Sequence, residues 1–239
     1  MGNNSSKDIE EASLCTSCEK ECCLDSEFNS KLYGTVKPYN RAIIICTGNQ
    51  LWPEKIESLE NTFVGVLLKT IKHHEQNITG KIKITLCDEA KSKSDGYDIY
   101  VYPDQVKYIG MTENDIGKFV IHCLVMKEIC KTINYISVTD KILVVVCVHG
   151  SRDKRCGRAG PLIINKVKDI IYKKGLINKI NIVGSSHIGG HKYAGVAIVY
   201  PSGDHYGYVT DKRIEEIIDH HLENNIYRPL WRGKMTINS

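Results

Sequence analysis

From residue 41 onward the apolar positions follow a fixed order of patterns, and that order occurs twice. Residues 42–46 are continuously apolar, as in a strand covered on both faces. Pro53 opens a helix, a favoured first-turn position, with Ile56, Leu59, Phe63, Leu67 and Ile71 recurring at helical spacing. Residues 81–86 alternate as a strand, and residues 97–102 and 105–110 form a hairpin around Pro103-Asp104. Thr112 caps a helix that runs to about residue 131, with Asp115 helping its first turn.

The second run repeats the order. Residues 143–146 form a strand that ends at Cys147, and Pro161 opens a helix with Ile163, Val167, Ile170 and Ile171 on its apolar face. Residues 180–183 are the next strand, residues 196–200 and 206–209 a hairpin, and Thr210 caps a helix bearing Ile214, Ile217, Ile218 and Leu222. Val101-Tyr102-Pro103, Tyr108, Thr112 and His122 recur as Val199-Tyr200-Pro201, Tyr206, Thr210 and His220, all at an offset of 98 residues. One shared offset points to duplication. The fold class expected is α/β, with two tandem thioredoxin-like units of strand-helix-strand-strand-helix order. The divisions expected are a disordered, cysteine-containing arm over residues 1–30, a first unit over 31–135 and a second over 136–239.

Composition narrows the function classes. The chain has 239 residues, 42% hydrophobic and 25% charged, an ordinary globular balance. Its net charge of +4 is spread along the sequence. No basic block with interleaved aromatics stands out, so no nucleic-acid partner is expected. No 18-residue apolar stretch is present to span a membrane. Ten cysteines in such a chain do not resemble a secreted disulfide framework; Cys46, Cys87, Cys123 and Cys130 lie inside apolar strands or helices and read as buried thiols of a reducing compartment. The N-terminus has no apolar segment and is acidic after Lys7, which argues against a secretory or mitochondrial presequence and for a cytoplasmic location. Gly2 with Ser6 and Lys7 fits the N-myristoylation pattern, which would add a weak membrane attachment; the alternative is a plain polar tail. Cys15, Cys18, Cys22 and Cys23 offer palmitoylation sites, a metal site or a redox pair, and no one role is assigned. The Cys15–Cys18 CxxC lacks the strand that precedes a thioredoxin-type active site.

The chemistry concentrates in the second unit. Cys147 and Cys156 have eight residues between them, and His187 and His191 have three. Both pairs follow apolar strands, at the carboxyl edge where open α/β sheets build sites. The loop from His149 to Gly157 carries Arg152, Lys154 and Arg155, and positive charge favours the thiolates that bind metal. Gly189-Gly190 lets the histidine loop turn tightly enough for both rings to face one point. Four such ligands suit zinc, whose cysteines ordinarily lie two to four residues apart, or a two-iron cluster, which fits the longer cysteine spacing better. His149, Arg152 and Lys192 are candidate donors around such a centre. Cys46 falls at the strand end equivalent to Cys147, and Cys87 is expected close to the position of His187. The first unit lacks partners for Cys156 and His191, so it reads as a scaffold or docking surface.

The sequence resembles the sucrase/ferredoxin-like family. The matching stretches are Cys46-Thr47-Gly48 with Trp52-Pro53, the run from Cys147 to Gly157, His187-Ile188-Gly189-Gly190-His191-Lys192, Tyr206-Gly207-Tyr208-Val209 and Leu230-Trp231-Arg232-Gly233. The resemblance covers roughly residues 30 to 235 and implies a thioredoxin-like ferredoxin domain in the second unit. Histidine-bearing members are associated with a Rieske-like [2Fe-2S] centre, so Cys147, Cys156, His187 and His191 become its implied ligands. No paired carboxylates mark a sugar hydrolase. The function expected is electron transfer or redox sensing with an unidentified redox partner protein, an electron carrier rather than a stand-alone catalyst. A zinc-stabilised binding module and a thiol-disulfide oxidoreductase using Cys15 and Cys18 are the alternatives. Trp231 is read as a packing residue.

Overall fold

The computed structural model describes residues 32–236. Ten strands form one sheet: β1 (Arg41–Cys46), β2 (Ile82–Cys87), β3 (Tyr97–Tyr102), β4 (Val106–Met111), β5 (Tyr135–Ser137), β6 (Ile142–Cys147), β7 (Ile180–Ser185), β8 (Ala197–Tyr200), β9 (Asp204–Tyr206) and β10 (Trp231–Lys234). Four helices accompany them: α1 (Phe63–His73), α2 (Glu113–Phe119), α3 (Lys154–Lys173) and α4 (Ile214–Leu222). The order across the sheet is β10-β9-β8-β6-β7-β2-β1-β3-β4-β5. In each half the first strand pairs parallel with the second and antiparallel with the third, and the third pairs antiparallel with the fourth. Two thioredoxin-like units therefore lie side by side in mirror order, and the duplication seen in the sequence is a duplication of topology.

The halves meet where β2 and β7 run antiparallel, with Cys87 opposite Ser185. Around that bridge, Ser186 N–H donates to Leu86 O (2.8 Å) and Gly184 N–H to the Asp88 carboxylate (2.8 Å). β1 and β6 are buried along both faces, which is why their sequences lack alternation. Ile43, Ile45, Val144 and Val146 face the layer built by the four helices. Ile44, Cys46, Val145 and Cys147 face the opposite core, which is rich in tyrosine. The sheet curls so far that Tyr102 and Tyr200, equivalent residues of the two halves, stack with centroids 4.4 Å apart.

Asp98, Glu89 and Lys107 form a paired polar cluster inside this frame. Asp98 is fully buried, and Lys107 Nζ lies 3.0 Å from its carboxylate and 2.8 Å from that of Glu89. Burial pushes the Asp98 pKa up, but donors from Ser92, Gly110 and Lys107 together hold it below its ordinary range. The stability it contributes is therefore present above the unfolded carboxyl pKa of about 4 and lost as pH falls below it. Lys107→Met is expected to cost about 3–5 kcal/mol, because it strands a buried carboxylate; the urea unfolding midpoint measures it.

Some local expectations are corrected. The helix expected from Pro53 begins at Phe63, with Thr62 accepting from Gly65 N–H. Trp52 and Glu54 are held by the second half, through His149, Ser151 and Arg152, so that stretch is not free to coil. The helix expected from Pro161 begins seven residues earlier at Lys154, behind an Asp153 cap, with Pro161 inside it. Burial of Cys156, Gly160, Ile163, Val167 and Ile170 outweighs the hydrogen bond that proline removes. The helix after Thr112 passes into a π-type turn over Val120–Met126 and stops at Lys127, which is left-handed at φ 58°. α4 is preceded by Arg213, and Thr210 contributes its backbone carbonyl to the turn before it. The edge strands β5 and β10 were not anticipated; their pairing with β4 and β9 comes from tertiary contact alone. Residues 32–39, although first in the described chain, pack on the second half: Gly34 N–H donates to Arg232 O (3.0 Å), and Tyr39 hydroxyl meets His205 Nε2 (2.9 Å). Trp231 is 9% exposed and donates to Asp204 (2.7 Å), a packed position.

Candidate metal centre

Cys147 ends β6 in the buried core of the sheet's tyrosine-rich face. The chain then turns through His149–Asp153 and re-enters as α3, which carries Cys156 in its first turn. Two close approaches bring the cysteines together. A Cβ on Gly157 would sit 2.6 Å from Gly150 Cα, and one on Gly160 would sit 2.4 Å from Cys147 O. Only glycine allows the helix to lie this tightly on the strand end. Cys156 is thereby brought up beside Cys147.

That proximity splits the two thiols. The Cys156 thiol, the His187 ring and the backbone N–H groups of His149 and Ile188 stabilise negative charge on Cys147, against the cost of burial, so its pKa falls well below the usual thiol value. Cys156, donating to Cys147 in a buried position, is pushed up. Groups around Cys147 thus favour the anionic sulfur that a cation binds.

The histidine loop follows β7. Gly189 and Gly190 both adopt positive φ (85° and 75°), and the turn between the histidines brings their ring centroids to 5.3 Å. The first half holds this loop from outside: Lys83 Nζ donates to Ile188 O (2.6 Å), and Ser186 is bonded to Leu86 at both its N–H and its hydroxyl. His149 is buried and accepts the His187 N–H at Nδ1 (3.1 Å), which leaves Nε2 as its donor toward Trp52 O (3.4 Å). It therefore ties the cysteine loop, the histidine loop and the first half into one assembly. Arg152 pairs with Glu54 of the first half (2.8 Å), and Lys192 lies over the Tyr193 ring (4.9 Å). Gly2, Cys15, Cys18, Cys22 and Cys23 lie outside the described residues.

A model of the family described as sucrase/ferredoxin-like matches residues 32–233. The chain belongs to the sucrase/ferredoxin-like family. It is 29% identical over 246 residues, 87% of either protein, to "Altered inheritance of mitochondria protein 32" of Debaryomyces hansenii. It is 48% identical over 58 residues to the protein of that name from Kluyveromyces lactis, a stretch that is 24% of this chain and 16% of that one. Among solved structures it is similar to the thioredoxin-like [2Fe-2S] ferredoxin from Aquifex aeolicus, which covers 41% of this chain and 96% of its own, at 21% identity and a TM-score of 0.38. No helix of the described residues is long and apolar enough to cross a membrane.

In this sucrase/ferredoxin-like chain the two halves treat the equivalent position differently. Cys87 pairs in register with Cys46 as Ser185 does with Cys147, so Cys87 matches Ser185 and the residue matching His187 is Glu89, a correction to the expected alignment. Among the described residues, the group whose ligand atoms converge within 4.8 Å of one another is Cys46, Cys87 and Glu89. Those sulfurs are 3.6 Å apart. The Cys87 contact and burial push the Cys46 thiol up, and Glu89 already accepts from Tyr100, Lys107 and Asn181. The first-half group is thus a satisfied piece of core, with the Glu89 carboxylate already paired to Lys107.

Residues that the sequence did not assign to the second-half site also surround it. Arg232 of β10 lies 3% exposed beneath Gly190 and stacks on Tyr193 (4.6 Å). Burial, then the charge of Arg232, brings the Lys83 pKa down to about 8. Arg232 lies in the Leu230–Gly233 stretch that carries the family resemblance, but nothing in local sequence placed it or Lys83 at this site, because both are supplied by distant strands.

Proposed function

We propose that this chain is a [2Fe-2S] electron-transfer or redox-sensing protein whose cluster is held by Cys147, Cys156, His187 and His191. The observation that carries this reading is that Gly157 and Gly160 seat the Cys156 turn on the strand end at Cys147, beside a histidine pair at the carboxyl edge of β7. The donor set is chemically apt: two cysteine sulfurs and two imidazoles. The eight residues between the cysteines reach farther than the usual zinc knuckle, which favours a binuclear group over a single zinc. When bound, such a cluster supplies one-electron chemistry, with potentials of about −150 to +300 mV for bis-histidine centres against about −400 mV for plant-type ferredoxins.

The chain's own residues do the rest. Cys147 and the Cys156 turn bring the thiolates, and His149 orients the backbone at His187. Each histidine has a second ring nitrogen to hold or release a proton, and His191 is exposed to solvent. The partner is a redox protein, and the likeness to proteins named for mitochondrial inheritance supports a role near that process. Six buried, unpaired cysteines among the described residues accord with a reducing compartment.

Protein purified without oxygen tests the reading. Visible charge-transfer bands with two irons and two sulfides per chain are expected. A colourless preparation with one zinc per chain would instead make the module zinc-stabilised.

A further inference from the structure

A cavity of about 580 Å³ opens beside the histidine loop, and its lining is unusual in charge. Lys37, Lys83, Lys192 and Arg232 line it together with His187 and His191. Among the described residues no Asp or Glu lines it, and none forms an ion pair with any of the four cations. Arg232 is 3% exposed; it donates to the Thr35 hydroxyl (3.1 Å) and carbonyl (3.3 Å), while Nη1 has no hydrogen-bond partner. Lys83 gives one N–H to Ile188 O (2.6 Å), and an ammonium has three. A buried guanidinium with an orphaned nitrogen, next to a second cation, is costly unless an anion compensates it. The volume lies in the range of small-ligand sites, and Tyr39 and Tyr193 add aromatic wall suited to an organic body.

We infer that this cavity binds a small organic oxyanion, a carboxylate or a phosphate, with Arg232 and Lys83 at its floor and Lys37 at its rim. The ligand would lie beside the imidazoles, so a molecule bound there is placed next to the proposed redox centre. The inference goes beyond that centre and does not rest on it, since the cations and the cavity belong to the polypeptide.

Calorimetric titration of the full chain with inorganic phosphate and, separately, with citrate tests it at constant ionic strength in chloride. Saturable one-site binding of at least one probe is expected; which probe binds distinguishes phosphate from carboxylate recognition. Arg232→Met should weaken binding at least tenfold, but that variant removes contacts to Thr35 and Tyr193 and can destabilise the fold. Lys37→Glu, at an exposed position, keeps the test sound: it should weaken binding several-fold with unchanged circular dichroism. Heats that never saturate with either probe, or Lys37→Glu binding as the wild type does, would overturn the inference. Iron and sulfide are assayed on the same samples. Anion binding without iron ends the cluster reading alone, and iron without anion binding ends the cavity reading alone.

Discussion

Exchanging His187 or His191 for cysteine is expected to leave a coloured, iron-containing protein whose potential falls by up to a few hundred millivolts, toward the plant-type value of about −400 mV. The reason is electrostatic. Each exchange replaces a neutral imidazole by an anionic thiolate, so adding an electron costs more. It also removes a ring nitrogen that takes up a proton, so the dependence of potential on pH should flatten. The two positions should differ in degree. His191 is exposed, whereas His187 is partly buried and bonded through its backbone to His149. Its loss should disturb the loop as well as the charge. Redox titration followed by visible absorbance, repeated from pH 6 to pH 9, measures both effects. Potential-versus-pH curves unchanged in both variants would contradict histidine ligation.

The second large effect is expected from a residue that ligates nothing. Gly160→Ala should remove most of the bound iron although all four proposed ligands remain. Its Cβ would lie 2.4 Å from Cys147 O, a backbone atom that cannot swing aside. α3 must then lift from the end of β6, and Cys156 moves with it. Overpacking of this kind costs about 1–3 kcal/mol, a modest sum beside the geometric damage at the sulfur pair. Gly117→Ala supplies the contrast. That glycine is also helical, and nothing lies within 4 Å of the Cβ it would gain. The variant should keep its iron and gain about 0.5–1 kcal/mol from helix propensity. Iron per chain and thermal unfolding, read on both proteins, decide the matter; equal iron in Gly160→Ala and wild type would show that the helix position does not set the site.

Much of the architecture was readable from the chain because periodicity reports burial directly. Unbroken apolar runs at residues 42–46 and 143–146 became the strands covered on both faces, and the 98-residue offset became two units of one topology. The cysteine and histidine loops were legible as motifs because their residue types and spacings are rare. Local signals misled where a distant partner intervened. Pro53 sits where a helix should open, but Trp52 and Glu54 are engaged by the second half. Pro161 looked like a first-turn residue, but packing of α3 on β6 carries the helix past it to Lys154.

The sequence alone determined the duplicated strand-helix order, the buried runs and the types of ligand available, since these depend on neighbours in the chain. Only the tertiary structure decided that Cys156 sits on the end of β6 beside Cys147, that His149 bonds the backbone of His187, and that Lys83 and Arg232 line one cavity without a carboxylate partner. The reason is that charge state and hydrogen-bond partnership depend on which remote groups share a low-dielectric space. Here those groups come from β2, β7, β10 and the segment before β1, far apart in the chain and adjacent only once the two half-sheets have joined.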